Sequence, residues 1–372
     1  MKLGKLFAGA AVALALALTS GAAPAQTNLR IASALGPKHV SSRGADIFLD
    51  KLHELTDGRY TGENFPSGLV TVPEILTAVR DGVVDSGNLA IPYFPAELVE
   101  TNLPSELGML SGDAVASTGA STEYIFSCAE CQAELKAFNG IYLAGEATVA
   151  YQILATVPVR TVEDMKGLKI RTGAAAHARW AESLGAIPTQ IPAGEIFEAL
   201  SQGIVQAAYS TLADYRALQI SDAAKFITLT NLGTFNGVSP FTLRSSVWES
   251  LSKEDKAHFL EAAQWGAAEY VIGYQEDAVA GRELGVQSGV EFTEIGDDFK
   301  AANRAFLDAD NASIEKTLTE KGVANAGEKI ARYKALLEKW TKLSEGVDTR
   351  EEFVDLMMSE VISKLDLDTY GM

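Results

Sequence analysis

The chain has 372 residues, is 47% hydrophobic and carries a formal net charge of −18, with 49 acidic against 31 basic side chains. This balance argues against a nucleic-acid-binding protein, because phosphate contacts need a basic face. The overall charge also repels anions, so a site for an anionic ligand would have to be built locally. The length suits two domains, and since no low-complexity linker separates them, we expect several chain crossings between them.

Residues 1–25 have the features of a cleavable secretory signal peptide. Lys2 and Lys5 precede an apolar run from Leu6 to Leu18, and Ala23-Pro24-Ala25 forms a small-x-small cleavage site. The apolar run is short for a membrane span, which leaves an uncleaved anchor as the alternative. No later segment is long and apolar enough to cross a membrane. We therefore expect a soluble, exported and acidic protein.

Strands and helices alternate along the first part of the chain. Apolar patterning predicts strands at 29–34, 59–65 and 85–90, with helices at 39–56 and 73–81 between them. Alternation of this kind predicts a parallel sheet with helices on both faces.

The same alternation returns after residue 150 and gives way to long amphipathic helices beyond Trp248. The predicted strands are 168–171, 188–191, 206–210, 225–229 and 239–245, and the predicted helices are 175–184, 193–202, 213–219, 252–290, 297–320 and 325–344. Two α/β lobes tied together by the last helices would enclose a cleft between them.

Arg171 ends a short apolar strand and is followed closely by Gly173. Ligands of open parallel sheets bind beyond the carboxyl ends of the strands, and clefts between domains are common pockets. A guanidinium group is always charged and matches a carboxylate through two parallel hydrogen bonds. A ligand carboxylate is therefore one partner for Arg171, and a structural salt bridge to a neighbouring acid is the alternative.

Several segments together resemble one family. VRTVEDMKGLKIRTG (159–173) and LGAIPTQIPAGEIFEALSQGIVQAAYS (184–210) resemble the DctP-type solute-binding proteins of TRAP (tripartite ATP-independent periplasmic) transporters. NFPSGLV (64–70), TAVRDGVVDSGNLA (77–90) and VSPFTL (238–243) are similar to further parts of that family. The resemblance covers most of the chain after the signal peptide. It implies two α/β lobes that are joined by hinge strands and a long helix and that close over a ligand.

The resemblance also implies a division of the chain. Residues 26–152 with about 240–280 would form the N-terminal lobe, and 153–239 with part of 281–372 the C-terminal lobe and the tying helices. The protein would be a monomer without a cofactor or metal that passes a small organic acid to TRAP membrane subunits. Arg171 matches the family arginine that forms a paired salt bridge with the ligand carboxylate.

Two departures from the family pattern bear on the ligand. Tyr151 stands where many members carry a second arginine, and Ser210 and Gln206 replace an asparagine and an aspartate. The predicted site has thus lost one cation and one amide, which argues against a dicarboxylate or sialic acid. A monocarboxylate with an aromatic ring or a hydroxyl group fits better.

Five further residues are candidate ligand contacts. Tyr93 and Tyr209, like Tyr151, can offer a ring and a hydroxyl at modest entropic cost. His39 follows the first strand, and Phe235 and Asn236 precede a predicted hinge strand. The alternatives are an exposed helix-start residue for His39 and a simple Asn-Gly turn for Asn236.

Cys128 and Cys131 are the two cysteines of the chain. In an oxidising compartment, a structural disulfide is the expected state. Free thiols, a redox pair or a zinc site are the alternatives, although the four histidines show no zinc-type spacing.

An enzyme is the main functional alternative, in the form of a periplasmic hydrolase or lyase that acts on a small organic acid. The chain has no G-x-S-x-G elbow, no H-E-x-x-H and no glycine-rich phosphate loop. An adhesion or scaffold protein would be expected to show repeats, and none is visible. The sequence therefore favours a binding protein over an enzyme.

Overall fold

The computed structural model describes residues 26–371, and the predicted signal peptide over 1–25 lies outside the described residues. The strands are β1 (Thr27–Ala32), β2 (Tyr60–Phe65), β3 (Ser86–Ala90), β4 (Gly140–Tyr142), β5 (Glu146–Ala147), β6 (Tyr151–Ala155), β7 (Lys169–Thr172), β8 (Ile187–Gln190), β9 (Ala207–Ser210), β10 (Phe226–Leu232), β11 (Asn236–Arg244) and β12 (Glu291–Glu294). The helices are α1 (Val40–Leu55), α2 (Ile75–Arg80), α3 (Leu103–Glu106), α4 (Ala114–Phe126), α5 (Ala129–Ala137), α6 (Ala175–Ser183), α7 (Ile196–Ser201), α8 (Leu212–Ala217), α9 (Ser245–Ser250), α10 (Lys253–Gln287), α11 (Asp297–Glu320), α12 (Ala326–Leu343) and α13 (Arg350–Glu360).

The first sheet has the strand order β2-β1-β3-β11-β4, with β5 pairing on β11. β1 runs parallel to β2 and β3, as the alternation of strand and helix predicts. β11 is antiparallel to β3, β4 and β5, so the prediction of a parallel sheet is wrong for this part. The reason is that β11 enters directly from the other lobe, without the helical crossover that makes neighbouring strands parallel.

The second sheet has the strand order β12-β10-β6-β9-β7-β8. β7 is parallel to β8 and β9, whereas β6 is antiparallel to both of its neighbours. β6 is the strand through which the chain enters this lobe. The predicted α/β fold with two lobes is confirmed, with mixed rather than parallel sheets.

The lobe division of the chain remains a proposal, and the strand pairing refines it. Tyr151 already pairs with Leu232 in the second sheet, whereas Asn236 pairs with Ala147 in the first. The two strand crossings therefore lie just before Tyr151 and between Leu232 and Asn236.

Helix α10 ties the lobes together. It is 35 residues long and packs against α1 of the first lobe and α8 of the second. At Gly281, a Cβ atom would lie 1.9 Å from the carbonyl oxygen of Leu212 at the start of α8. Only glycine allows this approach of helix α8 to helix α10, so the position is set by packing.

A disulfide bond joins Cys128 and Cys131, which confirms the predicted structural pairing. Both residues are buried at the start of α5, where the Cys131 N–H also donates to Cys128 Sγ at 3.1 Å. The bond closes only a short loop, so it removes little chain entropy from the unfolded state.

Replacing both cysteines by serine is expected to lower the free energy of unfolding by about 2 kcal/mol, the chain-entropy value for a loop of this length. Urea unfolding of the wild type and the Cys128→Ser/Cys131→Ser variant, followed by circular dichroism, measures the difference. Equal midpoints would contradict a stabilising role for the bond.

Candidate functional site

A cavity lies between the two lobes, with about 490 Å³ of space not filled by protein atoms, including the part open to solvent. Most of its wall is aromatic or aliphatic, and the polar side chains are few. The aromatic residues that line it are Tyr93, Tyr151, Phe235, Tyr270 and Tyr274, and the polar ones are His39, Asn88, Glu146, Thr148, Arg171 and Asp214. A mainly apolar cavity with a few convergent polar groups is the usual form of a small-molecule site.

Arg171 is the one cation among the residues that line this cavity, and its side chain is 1% exposed. Its Nε donates to the Ile191 carbonyl oxygen at 2.7 Å, and its Nη1 donates to the Tyr209 carbonyl oxygen at 3.1 Å. Nη2 donates to the Tyr93 hydroxyl at 3.4 Å. One N–H therefore remains on each of Nη1 and Nη2, the number that a carboxylate accepts in a bidentate pair.

Tyr93, Tyr151 and Phe235, all candidates from the sequence, line the same cavity as Arg171. Burial raises the pKa of both tyrosines, so their hydroxyls stay protonated and can donate hydrogen bonds. At Gly173, a Cβ would lie 3.0 Å from the Phe235 ring and 3.3 Å from Arg171 Nη2. A glycine at this place thus lets the ring and the guanidinium pack side by side.

Three other candidates from the sequence do not line the cavity. The Tyr209 ring stacks on Trp180 in the core, with centroids 4.3 Å apart, and its hydroxyl donates to the Leu232 carbonyl oxygen. Ser210 Oγ donates to Asp214 Oδ2 at 2.8 Å, and Asn236 Nδ2 donates to the Tyr333 hydroxyl at 2.6 Å. These three side chains therefore make their contacts within the protein and not with the cavity.

His39 lies at the site and joins the two lobes across the cleft. The Ser41 N–H donates to its Nδ1 at 3.1 Å, which leaves the ring proton on Nε2. Nε2 lies 3.3 Å from Asp214 Oδ1, and both side chains are 4% exposed. His39 belongs to the first lobe and Asp214, on α8, to the second, so this contact exists only when the lobes are close together.

Asp214, Glu146 and Asn88 are cavity residues that the sequence reasoning missed. Burial raises the pKa of Asp214, but hydrogen bonds from His39 and Ser210 and the charge of Arg171 outweigh it, and the net shift is downward. Burial and the nearby charge of Asp214 raise the pKa of Glu146 well above its usual range. For Glu146 and Asp214, the one available signal was that each is the only charged residue of its stretch, AGEATVAYQ and YSTLADY.

His177, on α6 beneath the cavity, gives a prediction for the pH dependence of stability. Its Nε2 lies 3.1 Å from the Thr234 carbonyl oxygen and donates to it, and burial lowers its pKa to about 3. In the unfolded chain, the His177 imidazole takes up a proton near pH 6.5, whereas in the folded chain it stays neutral at this pH. As the pH falls from about 6 toward the folded pKa of about 3, the free energy of unfolding should therefore fall by about 1.4 kcal/mol per pH unit from this group alone.

Urea unfolding of the wild type and of His177→Gln at pH 7 and pH 5 tests this expectation. Glutamine keeps a donor for Thr234 but does not titrate, while the carboxylates titrate alike in both proteins. The stability of the wild type relative to the variant should drop at pH 5. Parallel pH profiles would show that His177 is not held neutral.

Among residues 26–371, no group of three or more histidine, cysteine, aspartate or glutamate side chains is placed to hold a metal ion. No helix in that range is long and apolar enough to cross a membrane.

Residues 31–317 match the family described as bacterial extracellular solute-binding protein, family 7, or DctP. A solute-binding protein of Sulfitobacter sp. is 26% identical over 292 residues, which cover 76% of this chain and 85% of the relative. Solved structures with the same fold include TRAP solute-binding proteins of low sequence identity.

One of these, from a marine metagenome, is specific for aromatic acid ligands and was solved with meta-hydroxyphenylacetate. It has a TM-score of 0.75 and 21% identity, covering 85% of this chain and 99% of that one. Another, from Bordetella bronchiseptica, holds (R)- and (S)-mandelate, with a TM-score of 0.73 and 21% identity, covering 84% of this chain and 99% of that one.

Proposed function

The chain belongs to the DctP family of bacterial extracellular solute-binding proteins, and we propose that it captures a small monocarboxylate with an aromatic or hydroxylated body for a TRAP transporter. Its relatives and structural neighbours are solute-binding proteins and not enzymes, so the hydrolase or lyase alternative has no support. Delivery to the membrane subunits takes place in the periplasm, and an ion gradient rather than ATP drives the transport.

The observation that carries the proposal is the state of Arg171. All of its hydrogen bonds go to neutral oxygens, and no acidic side chain among residues 26–371 forms a salt bridge with it. A buried guanidinium group without a directly paired counter-ion is costly, because its charge has lost water and Asp214, the nearby acid, acts on it without forming a salt bridge. A ligand carboxylate removes that cost, which favours a ligand over the structural salt bridge.

A single carboxylate fits the charges of the cavity better than two. Arg171 is the only arginine or lysine in the described cavity wall, and the remaining ionisable groups include two acids, Glu146 and Asp214. A second carboxylate on the ligand would lie near these acids without a cation of its own. The rest of the wall is suited to an aromatic or aliphatic body.

Closure of the lobes follows from contacts that cross the cleft. Besides the pair of His39 and Asp214, the Tyr93 hydroxyl of the first lobe meets Arg171 of the second. Gln190 Nε2 also reaches the Pro92 carbonyl oxygen at 3.4 Å. A ligand that bridges both lobes would shift the equilibrium toward this closed form by its differential affinity. The closed form would then dock, as a monomer, on the membrane subunits.

A thermal-shift screen of the mature protein tests the proposal. The panel holds benzoates, phenylacetates, mandelate, 2-oxo and hydroxy acids, sugar acids and dicarboxylates. Ligand at about a thousand times its dissociation constant adds about 4 kcal/mol of stability, which gives a clear shift. Hits among the monocarboxylates are expected. A response to dicarboxylates alone would overturn the proposal of a single ligand carboxylate. Hydrolysis or rearrangement of a panel compound by the protein would support the enzyme alternative.

A further inference from the structure

We infer that Glu146 and Asn88 form a second polar subsite in the cavity, which binds a hydroxyl group on the part of the ligand away from its carboxylate. The inference rests on the proposed function and narrows its substrate class to hydroxylated monocarboxylates. It names the residues that would distinguish a hydroxylated acid from the same acid without the hydroxyl group.

Glu146 is the first part of this subsite. It lies on β5 of the first sheet, paired with Val238 of β11, and is 3% exposed. Its Oε1 is buried without a hydrogen-bond partner among the described residues, although the side chain lines the cavity. A buried polar atom without a partner is costly, so a group that satisfies it gains affinity.

Asn88 is in the same situation on the other side of β11. It lies on β3, next to β11 in the sheet, and its Oδ1 is likewise buried without a partner among the described residues. Both side chains come from the first lobe, whereas Arg171 comes from the second. The cavity thus offers a carboxylate-binding group on one lobe and two unsatisfied polar groups on the other.

A hydroxyl group suits this pair better than a charged group. The raised pKa of Glu146 favours its protonated form, which both donates and accepts hydrogen bonds, as the amide of Asn88 does. A hydroxyl group can satisfy either side chain, because it carries one donor and two acceptor sites. A second carboxylate would meet the nearby Asp214, and an ammonium group would need Glu146 ionised. The shared chemistry is therefore a hydroxyl, carried by an aromatic ring or by an aliphatic or sugar-acid chain.

The experiment compares ligand pairs that differ by one hydroxyl group, using isothermal titration calorimetry. The aromatic pairs are 3- and 4-hydroxyphenylacetate against phenylacetate and 3-hydroxybenzoate against benzoate, and the aliphatic pair is 4-hydroxybutyrate against butyrate. In the wild type, at least one hydroxylated acid should bind about tenfold tighter or more than its partner. The pair that shows the gain identifies an aromatic or an aliphatic body.

Glu146→Leu removes the polar group at nearly constant volume and should abolish that preference while the acid without the hydroxyl still binds. Asn88→Ala provides a second variant and should reduce the preference in the same direction. Thermal unfolding of both variants checks that they are folded.

The outcomes separate the subsite from the function on which it rests. The subsite is overturned if the acids without a hydroxyl bind the wild type as well as the hydroxylated ones do, or if both variants keep the preference. Water then occupies the space next to Glu146 and Asn88, and the proposed function stands. If none of these acids binds, the proposed class of ligand and the subsite both fall.

Discussion

Arg171→Ala is expected to weaken the binding of the carboxylate ligand by roughly 30-fold to several-thousand-fold, the range for truncating one partner of a buried charge pair. The loss is large because the two free N–H groups of Arg171 are the only cationic donors that the described cavity wall offers. Arg171→Lys keeps the charge but not the planar fork and should fall between the alanine variant and the wild type. Titration calorimetry with the best acid from the thermal-shift screen measures the three affinities.

Arg160→Ala is the matched control for this experiment. Arg160 belongs to the same lobe, but its side chain is exposed and pairs with Glu291 on the surface. Its removal should leave the affinity unchanged, since exposed ion pairs contribute little. If Arg171→Ala is folded and binds as tightly as the wild type, the carboxylate is held elsewhere and the proposed function loses its main support.

His39→Ala is expected to weaken the binding of every ligand by roughly tenfold to hundredfold, the value of one hydrogen bond to a charged group. The loss arises in the closed form alone, where Asp214 is buried and accepts from His39. In the open form, water can solvate Asp214 instead. The variant should therefore shift the free protein toward the open form, which small-angle X-ray scattering detects as a larger radius of gyration.

His39 caps the start of α1, and His53→Ala, in the last turn of that helix, is the control because His53 is exposed. A double-mutant cycle with Asp214→Asn distinguishes a contact between lobes from a direct ligand contact. If the two side chains act on each other, their effects on affinity will not add. Additive effects would mean that His39 binds the ligand directly.

Much of the alternation of elements could be predicted from the sequence because most predicted strands are short and bounded by glycine, proline or polar residues. Helix α10 was predicted over 252–290 and spans Lys253–Gln287. Helix α4 was not predicted, because it is buried on nearly all sides and its sequence, AVASTGASTEYIF, has no amphipathic pattern. The antiparallel direction of β6 and β11 could not be predicted, since local patterning carries no information on crossings between lobes.

The sequence allowed prediction of a site residue at the end of a strand. It did not allow prediction of residues whose role depends on how the two lobes come together. Arg171 could be found from its place after an apolar run. Tyr209 and Ser210 are adjacent in one strand, and successive side chains of a strand point to opposite faces of the sheet. The sequence alone does not show which face of that sheet lies toward the cavity. Glu146 and Asp214 resemble ordinary strand-end and helix-start acids, and their common role depends on the closed arrangement of the lobes.

The position of β11 in the first sheet has a consequence for the synthesis of the protein. This strand, which ends at Arg244, lies between β3 and β4, so the first sheet lacks a central strand until that part of the chain has been made. β12 likewise joins the second sheet only after residue 294. Neither lobe corresponds to a continuous fragment of the chain, and such long-range pairing slows folding. A nascent chain can therefore complete neither sheet until most of its length has been made.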